Sequence, residues 1–234
     1  MPRSFQIVCL LILTSIFFPS PRAHSQAEAP AVVTFTLDFP SSQPEHYAIR
    51  VPSNGSAHYQ SSGRRSADIV DSDDTDSHGN DNNDNFDLDF MVAAETRQKI
   101  FKLAAKAGYF QKDVASHHPG LAFTGKKTLG YKDAQRSGES IYNYSPIPAV
   151  QELTGLMQGL SATLEFGHRL DYDRHYQKLA LEEELKRMEE MARSNQLVEV
   201  TAIQPILDQI VADQSVINVT RARAQRLLER AGAH

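Results

Sequence analysis

The sequence predicts an α+β fold: an antiparallel sheet packed by one helix and followed by a C-terminal helical region. Three observations carry that expectation. Apolar and polar residues alternate with period two through residues 31–60 and again at 86–90, whereas from Pro146 onward the apolar period is helical. Strands therefore come first and helices second, without the strand–helix alternation that a parallel sheet needs. The chain also has 234 residues, of which 41% are apolar, enough to bury a sizeable core.

In chain order, Arg3 precedes an apolar run at residues 5–18, which is followed by the breakers Pro19 and Pro21. The run is shorter than the roughly 20 residues that cross a bilayer as a helix. Ala23, His24 and Ser25 supply a small-residue cleavage site, so residues 1–25 read as a secretory signal peptide. The other reading is an uncleaved N-terminal anchor. The single cysteine, Cys9, falls inside the run. A product beginning at Gln26 would have no disulfide, thiolate metal site or cysteine nucleophile, and no later segment is apolar enough to span a membrane. The expected location is secreted or periplasmic.

Residues 26–145 read as a β-rich domain. Val33, Phe35, Leu37 and Phe39 line one face of a first strand, and Tyr47, Ile49 and Val51 one face of a second. Asn54-Gly55 is a hairpin signal, expected to place both residues at positive φ, and Ala57 and Tyr59 follow in a third strand. Residues 61–85 hold seven Asp and four Asn and read as a disordered acidic insert, too poor in apolar groups to offset the entropy of ordering. Phe86, Leu88 and Phe90 restore the alternation. Ile100, Phe101, Leu103, Ala104 and Ala107 form the apolar stripe of a helix over 93–107 that stops at Gly108, with Tyr109 and Phe110 as a core anchor. Residues 121–123, 128–131 and 140–144 are further strand candidates, giving a sheet of about five to seven strands.

Residues 146–234 read as helical. Val150, Leu153, Leu156, Met157, Leu160 and Leu164 form one apolar face, which the pattern extends through Leu170, Leu179, Leu185, Met188 and Met191. Glu182 with Lys186, Glu183 with Arg187 and Glu189 with Arg193 are i,i+4 pairs that mark a solvated face. Two shorter helices follow, the first with Pro205 in its opening turn and the second with Ser215 as cap.

The Tyr47, Ile49, Val51 strand, the Asn54-Gly55 turn, Gly108-Tyr109-Phe110, the segment from Thr124 to Tyr131, and Tyr142-Asn143-Tyr144-Ser145 before a helix together resemble a family of uncharacterised exported bacterial proteins, as found in acidobacteria. The likeness continues through Ser161 to Gly167, Glu184 to Glu189 and Arg221 to Ala224, with the Asp-rich insert as its departure. It implies export and a bacterial source, and it supplies no site.

Four constellations bear on chemistry. Asp74, Asp76, His78, Gly79, Asn82 and Asn85 approximate a calcium loop, with His at its fifth position and, at its twelfth, Asn where a bidentate Glu belongs. The alternatives are a loose counter-ion site or a plain solvated loop. Gly120, Gly125, Lys126 and Lys127 share the spacing of a phosphate-binding loop but lack its final Ser or Thr, so they read instead as a hairpin with exposed lysines. Glu165, His168, Tyr172 and His175 fall within about 80° on a helical wheel and are weak metal candidates against a polar helix face or an interdomain contact. Arg223, Arg226 and Arg230 form a stripe on the last helix, read as facing water near the helix's negative end.

His117-His118 is a loop pair open to titration or metal contact, and no Gly-x-Ser-x-Gly elbow or other nucleophile motif is present. A net charge of −5 gives no bulk attraction to nucleic acid. The functional expectation is a non-enzymatic binding or structural module of the cell envelope with a protein or envelope partner. The alternative is a metal-dependent hydrolase at the junction of sheet and helices, around His117, His118, His168 and His175. No cofactor is expected beyond weak calcium at the insert.

Overall fold

A computed structural model describes residues 29–64 and 83–232. The expected signal peptide and the calcium-loop candidates Asp74, Asp76, His78 and Asn82 lie outside the described residues. The fold is α+β. Six strands, β1 (Val32–Asp38), β2 (His46–Pro52), β3 (Ser56–Arg64), β4 (Asn83–Met91), β5 (Lys126–Lys132) and β6 (Ser137–Tyr142), form one antiparallel sheet in the order β4-β3-β2-β1-β5-β6. Among the described residues five α-helices accompany it: α1 (Ala94–Lys106), α2 (Pro148–Tyr176), α3 (Ala180–Arg193), α4 (Gln204–Ala212) and α5 (Asn218–Gly232).

The alternation in the sequence decides which side of the sheet is dry. Val33 and Phe35 of β1, Ile49 and Val51 of β2, Tyr59 of β3 and Leu129 of β5 are buried on one face. Against them lie Ile100 and Ala104 of α1 and Leu153, Met157, Leu160 and Leu164 of α2. The first helix thus shares the sheet with the 29-residue α2, which at 1.5 Å per residue is about 43 Å long.

Local details depart from the sequence expectation for identifiable reasons. The β2–β3 hairpin closes with the Gly55 N–H donating to the Pro52 carbonyl at 2.9 Å, and only Gly55 takes positive φ (+89°). Asn54 instead accepts from the Ser56 N–H through its side chain, giving a turn with a single left-handed residue at its end. Residues 121–123 are not a strand. Gly120 and Gly125 at positive φ bound this short segment, and Asn143 holds it by side-chain bonds in place of a ladder, accepting from Thr124 N–H and donating to the Ala122 carbonyl, both at 2.8 Å. The apolar face expected to run on through Leu179 is interrupted: Leu179 is 88% exposed, because α2 ends at Tyr176 and the chain turns before α3. Ser215 donates to Asp213 Oδ1 at 2.6 Å, within the α4–α5 connection.

After α1, Gly108, Tyr109 and Phe110 all adopt positive φ (65°, 56° and 57°). Two non-glycine residues in that region carry strain, which surrounding contacts must offset. Phe110 is fully buried, as its anchor role predicts, and Tyr109 is clamped between the Tyr131 ring and the Arg136 guanidinium, 4.1 Å from its ring centre. Gly138 passes directly under the Tyr109 carbonyl, where any Cβ would collide with it.

Candidate functional site

The junction between sheet and helices is a packed seam with a short polar line through it. Tyr59 and Ser61 project inward from β3, two residues apart and so on the same face. Both donate to Oε1 of Glu165 on α2, each at 2.7 Å, and the Tyr59 hydroxyl also lies 2.9 Å from Ser161 Oγ, one helical turn earlier. Tyr142 and Thr154 add a second buried contact at 2.5 Å. Burial pushes the Tyr59 and Tyr47 phenols far above their ordinary range and the Tyr142 phenol up to about 12; the neighbouring Glu165 carboxylate adds to the rise for Tyr59. These phenols stay protonated, and that of Tyr59 donates to Glu165.

The helical-wheel group does not converge. Glu165 points into the seam. His168 Nε2 lies 3.1 Å from Asp84 Oδ1 at the start of β4, and its ring stacks on Phe86 at 4.3 Å. Tyr172 packs on Tyr176, and His175 Nδ1 meets the Asp171 carbonyl at 2.7 Å on its own helix. His117 pairs only with Asp113, at 2.9 Å, in the exposed loop before β5. Among the described residues, no three ligating side chains are grouped to hold a metal ion. A shallow open depression of about 310 Å³ between α4 and α5, lined by Thr201, Gln204, Asp208, Gln225 and Leu228, holds none of these histidines.

Two charge features differ from expectation. Lys127, expected to be exposed, is 4% exposed, and its ammonium donates to the carbonyls of Thr124 and Asn143, both at 2.9 Å, and approaches Thr124 Oγ1 at 3.0 Å. The inward alternation of β5 buries it, and burial lowers its pKa. It ties the loop before β5 to the strand-to-helix turn after β6. The arginine stripe faces water only in part: Arg226 and Arg230 are exposed, whereas Arg223 is half-buried against α3. Arg223 and Arg226 of α5 both pair with Glu189 of α3, the latter at 2.8 Å, and Arg223 also reaches Glu182 at 2.9 Å. Glu184 pairs with Arg169 of α2 and, at 3.4 Å, with Arg187. Glu184 and Glu189 are therefore buried, and α3 presents them to its neighbours, whereas i,i+4 spacing alone placed Glu189 on a solvated face. Burial opposes ionisation of Glu189, and the two α5 arginines outweigh it, leaving its pKa lowered. Asp173 on α2 is pushed up to about 6 by burial and by Glu184, with Arg169 opposing.

The opposite face of the sheet is left uncovered by the described helices, most of its residues half-buried or exposed. Cross-strand register places Ala48, Thr36 and Thr128 side by side at its centre, with Arg50, Thr34 and Gly130 in the next row. Toward β4 the row of Arg50 continues through His58 to Asp89, and the row of Ala48 through Gln60 to Asp87. His58 lies between the two carboxylates, its Nδ1 2.9 Å from Asp89 and its Nε2 3.5 Å from Asp87. Toward β5 the margin carries Lys126 and Lys132. A floor of small side chains is thus bordered by charge, with Met91 and Ile141 as its exposed large apolar groups. Period-two reading could have located this face, since its residues are the polar half of each strand. It could not show that the helices all stay on the other side.

Comparison with protein-family models finds no match, and comparisons with curated proteins and with solved structures find none either.

Proposed function

We propose that this protein is an exported, non-enzymatic binding module of the cell envelope, and that it works through the open face of its sheet. The observation that carries the reading is the two-layer build. The helices and the polar line at Glu165 occupy one side, and the broad flat floor around Thr36 and Ala48 is left for a partner. Export rests on the leader-like pattern of residues 1–25 and accords with the resemblance to exported bacterial proteins. Among the described residues, no helix is long and apolar enough to cross a membrane. Charged margins with few large apolar groups favour a polar partner, and neither the net charge nor the face favours nucleic acid, which needs a basic surface with stacking rings.

The hydrolase reading would draw on His117, His118, His168 and His175. His117, His168 and His175 each hold a different local acceptor, so no observation favours it. A photo-crosslinking residue placed at Ala48 in producing cells tests the proposal. The expected result is a discrete adduct with an envelope component that is missing when the same group replaces Gln98 on the exposed side of α1. Equal adducts at both positions, or substrate turnover abolished by His168→Ala, would overturn it.

A further inference from the structure

The two edges of the sheet are treated differently, and that difference points to a partner. Along β6 the chain after α1 runs close to the edge: the Val114 N–H donates to Ser140 Oγ at 3.1 Å, the Ser116 N–H donates to the Tyr144 carbonyl at 2.8 Å, and Gly138 lies under Tyr109. β4, at the other edge, is nine residues long and among the described strands pairs with β3 alone. The Val92 N–H donates to the Gly55 carbonyl at 3.0 Å, which fixes the phase of the ladder. By alternation along an antiparallel strand, Phe90 and Leu88 turn their backbone groups toward β3, and Asp87, Asp89 and Met91 turn theirs outward. Those three residues are exposed. Among the described residues no further strand pairs with the outward backbone groups of Asp87, Asp89 and Met91, and an edge left open in that way is a template for another strand.

We infer that the β4 edge accepts an extended, lysine- or arginine-bearing polypeptide segment as a seventh strand. The inference deepens the binding-module reading and rests on it. Charge selects the occupant. A second copy pairing through the same edge would bring Asp87 and Asp89 near their own equivalents, which is unfavourable for like charges on adjacent strands. A cationic strand reverses that sign and meets both carboxylates, whose side chains are 70% and 86% exposed. His58, which lies between them, is the only basic side chain facing them among the described contacts. Main-chain bonds supply the affinity and the alternate basic side chains the selectivity, as in other strand-addition interfaces.

The test titrates the isotope-labelled protein with an alternating lysine–valine octapeptide, with the same peptide N-methylated at every second residue, and with its glutamate–valine counterpart. The expected result is binding of the first peptide with at least tenfold slower amide exchange at Asp87, Asp89 and Met91. N-methylation is expected to weaken binding about tenfold, the acidic peptide to leave the spectrum unchanged, and Asp87→Asn with Asp89→Asn to weaken binding several-fold while the far-UV spectrum stays the same. No binding, equal binding of the N-methylated peptide, or protection confined to another surface overturns the inference. If the Ala48 crosslink forms while this titration fails, the module reading stands and the edge is not its site. If the edge is protected but the crosslink is not position-dependent, the open face is the part that falls.

Discussion

The seam between the sheet and α2 and the arm formed by α3 and α5 are both buried, yet different forces hold them. In the seam, Phe35, Ile49, Leu129, Leu160 and Leu164 exclude water, and one carboxylate, Glu165, is satisfied by neutral hydroxyls. In the arm, Glu184 and Glu189 sit among five arginines drawn from three helices, two of them on Glu189 from α5. Apolar burial is non-directional and tolerates any arrangement that excludes water. Ion pairs are stabilising only while both partners remain, because a buried charge left alone carries its whole desolvation cost. The seam therefore fixes that α2 packs on the sheet, and the arm's charges fix how α5 is oriented against α3.

Substitutions can break this comparison, beginning with the largest effect. Leu164→Ala should cost about 3 kcal/mol in urea unfolding, through lost burial and a cavity, with no dependence on salt. A cost below about 1 kcal/mol would mean that the seam is not tightly packed. Glu189→Gln should cost about 2 kcal/mol, because Arg226 loses its carboxylate partner and Arg223 keeps only Glu182. Here 0.5 M NaCl should shrink the loss, and a salt-independent cost would place Glu189 with the seam rather than with the charged arm. Tyr59→Phe removes the hydroxyl that donates to Glu165 and contacts Ser161, and should cost about 1 kcal/mol by thermal unfolding, also without a salt effect.

Asp173→Asn sharpens the contrast with the smallest and oppositely signed change. The native pKa of Asp173, about 6, lies above its ordinary value of 3.8, so the native state holds the proton more tightly. The stability this residue contributes is complete at acid pH and is lost as pH rises toward 6. The asparagine variant should match the parent at pH 3.5 and exceed it by about 1 kcal/mol at pH 8, allowing for solvent screening. An advantage over the parent no larger at pH 8 than at pH 3.5 would remove the claim that burial and Glu184 raise the Asp173 pKa.

Much of the sheet was legible because strand alternation is a local property. Val33, Phe35, Tyr47, Ile49 and Tyr59 all fall on the face their spacing assigns. The apolar face of α2 was legible for the same reason. Glu165 and His168 were also visible, but only as neighbours on a helical wheel, which says nothing of what stands opposite. Once β3 presents Tyr59 and Ser61 to Glu165, and β4 presents Asp84 to His168, the two side chains serve different strands. Lys127 was misread because lysine is rarely buried, and only the carbonyls of Thr124 and Asn143 make its burial tolerable. Neither acceptor could be assigned to it before the loop before β5 and the turn after β6 were brought together.

The sequence by itself determined the elements, their order and which half of each strand is apolar, since side-chain periodicity and turn residues act over a few positions. Only the tertiary structure decided that the described helices lie on one side of the sheet, that among the described residues β6 is flanked by the chain after α1 while β4 pairs with β3 alone, and that Arg223 and Arg226 of α5 meet Glu189 of α3. Those outcomes depend on contacts between residues tens of positions apart, which no local spacing encodes.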